Sequence, residues 1–183
     1  MFFVLFSLMI IQRVTELFHA KRNELWLLNR GGIEYGREHY PFIVALHVFF
    51  LLSLLLEVLI LDKELTDIWL LFIPILAISQ LIRYWSVVSL GNYWNTKIII
   101  IPDERVVSKG PYQFMRHPNY LVVAVEILFI PLLFHAYFTS FLFTVFNVLI
   151  MTIRIPTEER ALLANTSNYD QAFSMKTRFI PKK

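Results

Sequence analysis

Five long runs of apolar residues alternate with polar segments along the chain. A helix needs roughly 20 apolar residues to cross the hydrocarbon core of a bilayer, and each run is close to that length. The sequence therefore predicts an all-α, polytopic integral membrane protein with about five transmembrane helices, forming a single domain over residues 1–183. The runs extend from Met1 to about Phe18, from Pro41 to Leu61, from Ile68 to Leu90, from Asn119 to Tyr137 and from Phe138 to Ile153.

Three of these runs allow an alternative to a simple transmembrane span. The first carries Arg13 and Glu16, which must face protein or lie at the membrane interface. No basic segment precedes it and no small-residue cleavage site follows it, so we expect a retained helix rather than a cleaved signal. The last two runs could form one helix bent at Pro131, but that helix would be much longer than the bilayer is thick. We therefore expect a hairpin that turns near residues 135–140.

The composition agrees with a membrane location. Hydrophobic residues make up 57% of the chain, charged residues make up 17%, and the mean hydropathy is +0.57. These values exclude an ordinary soluble domain. Cysteine is absent, which excludes a disulfide scaffold, a thiolate nucleophile and a zinc–thiolate site.

The basic residues are distributed very unevenly between the segments that connect the runs. With five alternating spans, fourteen Lys and Arg residues fall on one side of the membrane and only Lys63 falls on the other. This asymmetry predicts an N-terminus outside and a cytoplasmic C-terminus. It also explains the sequence pI of about 9.2 without a nucleic-acid partner. The fourteen are Lys21, Arg22, Arg30, Arg37, Lys97, Arg105, Lys109, Arg116, Arg154, Arg160, Lys176, Arg178, Lys182 and Lys183.

Two polar segments contain short apolar stretches of their own. Residues 23–28, with Trp26 as an anchor, are typical of an amphipathic helix at the interface, although a simple connector fits the same residues. Residues 98–101 are all isoleucine but lie outside the predicted spans. We expect part of this second segment to fold back against the membrane domain.

The strongest candidate motif is Gly110-Pro111-Tyr112-Gln113-Phe114-Met115-Arg116-His117-Pro118-Asn119-Tyr120, which leads into the fourth span. Proline is favoured in the first turn of a helix, so Pro118 predicts a helix start there. The free N–H groups of residues 119–121 and the positive end of the helix dipole would then form an anion site. Alternatively, Arg116 and His117 only mark the end of a span.

A second motif, Arg154-Ile155-Pro156-Thr157-Glu158-Glu159-Arg160-Ala161-Leu162, follows the last span. Pro156 with acids after it predicts the first turn of a new helix, because carboxylates stabilise the positive end of a helix dipole. Arg154 and Glu158 would lie at the same membrane boundary as Arg116 and His117. The two motifs can therefore converge into a site for a small molecule.

Three ionisable residues, Glu57, Arg83 and Glu126, fall inside predicted spans. Glu57 and Arg83 lie near span ends, so we expect their charged groups to extend to the interface. Glu126 lies deeper, and its position fits either an ion pair with Arg83 or a catalytic role. The histidines have no ligand-like spacing, so no metal site is predicted. Neither a glycine-rich phosphate loop nor a dinucleotide fingerprint is present.

Together, the two motifs resemble the isoprenylcysteine carboxyl methyltransferase family of integral membrane enzymes. The resemblance rests on Gly110-Pro111-Tyr112 with Arg116-His117-Pro118-Asn119-Tyr120, and on Arg154 with Glu158-Glu159 and Leu162. The stretch Leu90-Gly91-Asn92-Tyr93-Trp94 and the tail from Tyr169 to Pro181 also look similar to it. The resemblance covers residues 83–183, which makes this the motif-bearing part of the chain.

The resemblance implies methyl transfer from S-adenosylmethionine, with the cofactor on the cytoplasmic side between the loop before span four and the helix after span five. By matching position, Tyr112, His117, Pro118, Asn119, Tyr120 and Glu159 would bind the cofactor, and Arg116, Arg154 and Glu158 would orient an acidic acceptor. Pro156 departs from the eukaryotic members, which have a helix-compatible acid there. This departure leaves open whether Arg154 and Glu158 keep the family geometry.

The chain is short and resembles a bacterial branch that accompanies type III polyketide synthases and methylates alkylpyrone hydroxyls. The resemblance thus implies a lipophilic acceptor that enters from the lipid bilayer, most similar to an alkylpyrone and otherwise to a prenylcysteine carboxylate. An acidic acceptor is already an anion at neutral pH, so no general base is required.

Two other classes of protein fit parts of the pattern. A membrane reductase of lipid double bonds would share a similar C-terminal helical architecture and would use NADPH. A membrane anchor or transporter subunit would bind neither cofactor, but it leaves the clustering of Arg116, His117, Arg154, Glu158 and Glu159 unexplained.

Overall fold

The computed structural model describes residues 1–180, and Pro181, Lys182 and Lys183 of the predicted tail and basic count lie outside the described residues. Most of the described chain is helical. The elements, in chain order, are α1 (Phe2–Asn29), β1 (Ile33–Tyr35), α2 (Tyr40–Ile60), α3 (Trp69–Leu90), β2 (Ile98–Ile100), α4 (Pro118–Leu132), α5 (Tyr137–Asn165) and α6 (Tyr169–Phe173). Short 3-10 turns at Gly91–Tyr93 and Gly110–Gln113 complete the fold.

The chain is an all-α polytopic membrane protein, as the apolar runs predict. Within residues 1–180, four helices are long and apolar enough to cross a membrane, namely α1, α2, α3 and α5. The fourth apolar run forms a shorter helix, α4, of 15 residues. At 1.5 Å per residue it is about 22 Å long, which is shorter than the hydrocarbon core.

The predicted hairpin between the last two runs is confirmed. α4 ends at Leu132 and α5 begins at Tyr137, so the chain turns slightly earlier than expected. Glu57 at the end of α2 accepts hydrogen bonds from the backbone N–H groups of Phe138 and Thr139 at 3.2 and 2.8 Å. Its carboxylate therefore caps the start of α5, so a protein contact holds Glu57 at this end of the bundle.

The apolar core lies between α2, α3, α4 and α5, with the start of α1 packed on one end. Leu54 of α2, Ile127 of α4 and Phe134 in the turn are almost completely buried. Phe2 of α1 packs its ring edge-to-face on Phe134, with ring centroids 5.0 Å apart. Elsewhere, α1 exposes a long apolar surface that suits contact with lipid.

Four charged side chains form a neutral cluster between α1, α3 and α4, which we call the charge quartet: Arg13, Glu16, Arg83 and Glu126. Glu126 accepts hydrogen bonds from Arg83 Nη2 at 2.5 Å and Arg13 Nη2 at 2.6 Å, and Glu16 accepts from Arg83 Nη1 at 2.8 Å. Only 4% of Arg83 is exposed, so its expected extension to the interface is wrong. The ion pair between Arg83 and Glu126 is confirmed, and Arg13 and Glu16 face protein.

The helix predicted for residues 23–28 is not a separate interfacial element. It forms the end of α1, because apolar and helix-forming residues continue without a break from the first run. Asn23 is buried and donates from its amide group to the carbonyls of Gly91 and Trp94, at 3.1 and 2.7 Å. These two bonds fasten the end of α1 to the segment after α3.

The isoleucine stretch folds back as expected and forms β2. It pairs antiparallel with β1, so that Ile33 lies opposite Ile100 and Tyr35 lies opposite Ile98. Residues 98–101 are all buried. The segments that follow α1 and α3 are thereby joined into one small sheet at the motif-bearing end of the bundle.

Candidate active site

The first motif folds into a tight turn against the end of α3. Gly110 has a φ of +62°, and a Cβ atom there would overlap the Ser89 side chain, so both the backbone angle and the close approach require glycine. Tyr112 follows within the 3-10 turn and is buried. His117 then precedes Pro118, which begins α4 as predicted.

The start of α4 has fewer free amide groups than the sequence predicts. The N–H group of Leu121 donates to the carbonyl of His117 at 3.2 Å, which is the ordinary hydrogen bond of a helix. Asn119 and Tyr120 line the pocket described below, so the positive end of the helix is directed towards it.

The second motif lies within α5, which continues from Tyr137 to Asn165 through Pro156. The prediction that Pro156 begins a new helix is therefore wrong; proline costs one backbone hydrogen bond here without ending the helix. Arg154 and Glu158 remain one helical turn apart on one face. Both contact the Tyr120 hydroxyl, which donates to Glu158 in a short hydrogen bond and accepts from Arg154 Nε at 2.9 Å.

Arg154 also connects α5 to the segment before β2. Its Nη2 atom donates to the backbone carbonyl of Thr96 at 2.6 Å, and only 5% of the residue is exposed. Two of its nitrogens, Nε and Nη2, thus donate hydrogen bonds to other residues of the protein. Within residues 1–180, its Nη1 atom makes no side-chain hydrogen bond of this kind.

Glu159 has a different set of partners from Glu158. One of its oxygens lies 3.1 Å from His117 Nε2, and Arg178 donates to both oxygens at 3.1 and 2.7 Å. Arg116 Nη1 lies 3.4 Å away. Glu159 is not among the residues that line the pocket, and its side-chain contacts are with His117, Arg178 and Arg116.

The C-terminal tail forms backbone hydrogen bonds with the first motif. The N–H groups of Arg116 and His117 donate to the carbonyls of Thr177 and Arg178, each at 3.0 Å. Arg116 Nε donates to the carbonyl of Lys176 at 2.7 Å. The tail therefore holds the loop before α4 in a fixed position.

A pocket lies between the loop before α4, the start of α4, β2, α5 and α6. Its lining contains six of the nine residues predicted for the site, namely Tyr112, Arg116, His117, Asn119, Tyr120 and Glu158. Pro118 begins the helix behind it, and Arg154 contacts it through Tyr120. The opposite wall is apolar and consists of residues 98–101.

Three buried polar atoms in this lining have no hydrogen-bond partner within residues 1–180. They are Trp94 Nε1, which is a donor, Asn119 Oδ1, which is an acceptor, and the Tyr169 hydroxyl, which can be either. Buried polar groups are nearly always paired in folded proteins. Their convergence in one pocket indicates a ligand that offers both donors and acceptors.

The phenols that line the pocket are uncharged at neutral pH. Burial raises the pKa of Tyr112 well above its ordinary value, and the negative charge of Glu158 adds to this effect. Burial and the charge of Glu159 raise the pKa of Tyr169 to about 12. Neither side chain is therefore available as an anionic base at neutral pH.

A second concave surface, the α2–α5 groove, lies next to Arg154. Its lining is apolar apart from His39, and it extends along the helices from His39 and Ile153 towards Leu142. Ile153 immediately precedes Arg154 in α5. This end of the groove therefore adjoins, along α5, the residue that contacts Tyr120. Its lining residues are His39, Phe42, Leu46, Phe49, Leu142, Phe143, Phe146, Leu149, Ile150 and Ile153.

Several residues at this site are not predicted from the sequence. Trp94 and Tyr169 carry unpaired atoms of the pocket, Thr96 holds Arg154, and Arg178 holds Glu159. Each of these residues reaches the site through contacts between segments that are distant in the sequence. The spacing of residues within one motif does not predict such contacts. A partial signal was present, because the stretch around Trp94 and the tail were both similar to the family.

Comparison with known proteins gives a family and two relatives. Residues 69–164 match the model of the isoprenylcysteine carboxyl methyltransferase (ICMT) family. The uncharacterized protein YpbQ of Bacillus subtilis (strain 168) is 46% identical over 162 residues, which cover 88% of this chain and 96% of that protein. An uncharacterized protein of Haemophilus influenzae is 24% identical over 160 residues, covering 87% of this chain and 93% of that one.

Proposed function

The chain belongs to the isoprenylcysteine carboxyl methyltransferase family, a family of membrane methyltransferases, and we propose that it transfers a methyl group from S-adenosylmethionine to an acidic oxygen of a lipophilic substrate. Residues 69–164, which match the family, contain both motifs of the site. The cofactor and the substrate class are our inference from the geometry of the pocket and the groove.

One observation carries the proposal. The pocket combines family-motif residues with three unpaired polar atoms, on Trp94, Asn119 and Tyr169. S-adenosylmethionine has an adenine ring, ribose hydroxyls, an amino group and a carboxylate, so it offers partners for donors and acceptors alike. His117 supplies a hydrogen-bonding group suited to its carboxylate, and the isoleucine wall suits its adenine ring.

The reaction requires alignment more than acid–base chemistry. When bound, the cofactor supplies a methyl group on a positively charged sulfur; a carbon–oxygen bond forms as the carbon–sulfur bond breaks, and the bonding electrons return to sulfur. If the acceptor is already an anion, no proton has to move. The protein's tasks are to hold the acceptor oxygen in line, which Arg154 and Arg116 would do, and to exclude water. Glu158 balances the positive charge of Arg154 through Tyr120.

The α2–α5 groove supports a lipophilic acceptor. An alkyl chain in the groove would place its acidic head near Arg154, with the tail in contact with the bilayer. Among acceptors of this kind we favour an alkylpyrone hydroxyl over a prenylcysteine carboxylate. The apolar lining of the groove suits the tail of either acceptor, and a direct assay distinguishes the two head groups.

Ligand binding and product analysis test the proposal together. Purified protein in lipid nanodiscs should bind labelled S-adenosylmethionine and not NADPH, which separates a methyltransferase from a lipid reductase. Incubation with a long-chain hydroxypyrone or a prenylcysteine, followed by mass spectrometry, should show addition of one methyl group to the preferred acceptor. Binding of NADPH, or of neither cofactor, would contradict the proposal.

The residues that anchor the first motif should affect cofactor affinity. We expect Glu159→Ala and His117→Ala each to weaken S-adenosylmethionine binding by about 5- to 150-fold, because losing a buried hydrogen-bonded or charged partner costs about 1–3 kcal/mol. Equilibrium binding to the folded variants measures this. The matched control is His135→Ala, in the turn at the far end of α4, which should bind like wild type. Unchanged affinity in both site variants would reduce these residues to structural roles.

We also propose that the pocket lies on the cytoplasmic side, with the N-terminus outside and the C-terminus inside. The fourteen-to-one distribution of basic residues supports this orientation. A reporter fused after Lys183 should be active in the cytoplasm, and one fused before Met1 should be active outside it. Both termini on one side would contradict a topology in which α4 crosses the membrane along with the four longer helices.

A further inference from the structure

Glu104 lines the pocket but belongs to neither sequence motif. It lies in the loop after β2, and its side chain is 30% exposed. Within residues 1–180, the lining of the pocket contains one other carboxylate, Glu158, which already accepts a hydrogen bond from Tyr120. Glu104 is therefore the carboxylate that remains for a ligand with hydrogen-bond donors.

A cluster of side chains holds the carboxylate of Glu104 in a fixed position. The Tyr93 hydroxyl donates a short hydrogen bond to one oxygen, and Arg30 Nη2 lies 3.4 Å from the other. The Arg30 guanidinium lies over the Trp26 ring, 4.7 Å from its centroid, and Trp26 packs edge-to-face on Tyr93. Because these partners come from the end of α1 and from the turn after α3, the carboxylate is preorganised before any ligand binds.

The carboxylate also retains capacity for further hydrogen bonds. Its two oxygens offer about four acceptor sites, and the two protein donors occupy one site on each oxygen. The contact with Arg30 is longer than a typical hydrogen bond between charged groups. Two adjacent hydroxyl groups of a ligand could therefore donate to this carboxylate, one to each oxygen.

Helix α1 gives the distance between the two ends of this side of the pocket. Lys97, before β2, pairs with Glu24 of α1 at 2.9 Å, and Glu104, after β2, pairs with Arg30 at the end of α1. Glu24 and Arg30 are six residues apart, which corresponds to about 9 Å along a helix. Lys97 and Glu104 are separated by a similar distance along α1, and the isoleucine wall lies between them in the chain.

Glu104 lies at the end of this wall that is remote from the proposed acceptor. Thr96, which directly precedes Lys97, accepts the hydrogen bond from Arg154. The wall of residues 98–101, which suits an adenine ring, leads from there towards Glu104. In S-adenosylmethionine the ribose lies between the sulfonium and the adenine ring, so its hydroxyls point away from the transferred methyl group. The position of Glu104 therefore suits the nucleoside part of the cofactor.

We propose that Glu104 binds the ribose of S-adenosylmethionine, with one carboxylate oxygen accepting a hydrogen bond from the 2′-hydroxyl and the other accepting one from the 3′-hydroxyl. This inference rests on the proposed function and adds to it a residue that determines specificity for the nucleoside. The pocket thereby distinguishes a ribonucleoside from a nucleoside without these hydroxyls.

Calorimetric titration of the full chain in nanodiscs tests this, with S-adenosylhomocysteine and its 2′,3′-dideoxy analogue as the two probes. S-adenosylhomocysteine has no methyl group to transfer, so binding alone is measured. Wild type should bind the dideoxy analogue about tenfold or more weakly, because hydrogen bonds to a charged acceptor are lost. In Glu104→Gln the affinity for S-adenosylhomocysteine should fall while the affinity for the analogue stays near wild type, so most of the difference should disappear.

Asp103→Asn is the matched control, because it removes a negative charge from the adjacent residue, which is exposed and does not line the pocket. It should keep the wild-type preference for S-adenosylhomocysteine over the analogue. Glu104→Ala removes the acceptor completely and should abolish this preference. It provides a second variant if Glu104→Gln does not fold.

Three results would overturn the role of Glu104 and leave the methyltransferase proposal intact. They are equal affinity of wild type for the two probes, a full preference for S-adenosylhomocysteine in folded Glu104→Ala, and an equal loss of affinity for both probes in the Glu104 variants. The last result would indicate a contact with adenine or a structural effect. If wild type binds neither S-adenosylmethionine nor S-adenosylhomocysteine, the proposed function fails and the role of Glu104 fails with it.

Discussion

Replacing Arg154 with lysine should lower turnover by about 100-fold while S-adenosylmethionine still binds. Arginine contacts Tyr120 and Thr96 with two nitrogens of one planar group, and a lysine amine cannot reach both partners. The acceptor would then be misplaced, and a displacement of about 1 Å from the reactive geometry can cost about 100-fold in rate. The charge is retained, so the loss would reflect geometry rather than electrostatics.

Single-turnover rates and cofactor affinities measure this effect, with Arg160→Lys as the matched control. Arg160 is on the same helix but exposed, so its replacement should leave turnover unchanged. The wild-type rate should also fall as the pH drops through the pKa of the acceptor itself, because only the anion reacts without a base. Wild-type turnover in Arg154→Lys would contradict this mechanism. A pH profile that follows a histidine with every acceptor would also contradict it and would favour His117 as a base.

Replacing Glu126 with glutamine should destabilise the protein by about 3–5 kcal/mol, since removal of one partner leaves buried charge uncompensated. In the charge quartet, Arg13 and Arg83 both donate to Glu126, so the variant would leave two arginines facing one carboxylate. The double variant Arg83→Leu/Glu126→Leu should be less destabilised than Glu126→Gln, because it keeps the remaining pair neutral.

Thermal unfolding in detergent checks this, with Glu64→Gln as a control in the exposed loop between α2 and α3. We expect the control to unfold at the wild-type temperature. If Glu126→Gln does the same, the quartet adds little to stability, and the alternative catalytic role of Glu126 becomes the better explanation for a buried carboxylate.

The sequence predicts helices and motifs well because both depend on local pattern. The apolar runs become helices, Pro118 begins α4, and both motifs reach the same pocket. The prediction at Pro156 is wrong because proline can either start a helix or lie inside one, and the packing of α5 as a whole decides which.

The errors at Arg83 and at residues 23–28 have a common physical cause. Arg83 is buried because Glu16 and Glu126 arrive from two other helices. Asn23 is buried because two carbonyls after α3 accept its amide. Partners so distant along the chain do not affect the local pattern of apolar and polar residues. The local pattern therefore predicts that each of these residues faces water or lipid.

The pairing of β1 with β2 limits how far the chain can be divided. The isoleucine wall of the pocket belongs to the family-matched region, but its strand partner, Ile33–Tyr35, comes from well before residue 69. The two regions therefore share one sheet, and a chimera that takes its first two helices from a distant relative would pair β2 with a β1 strand of different sequence. Cofactor affinity in such hybrids should depend on which parent protein supplies β1, because this strand pairs with the isoleucine wall of the pocket. The N-terminal third of the chain therefore helps to shape the pocket.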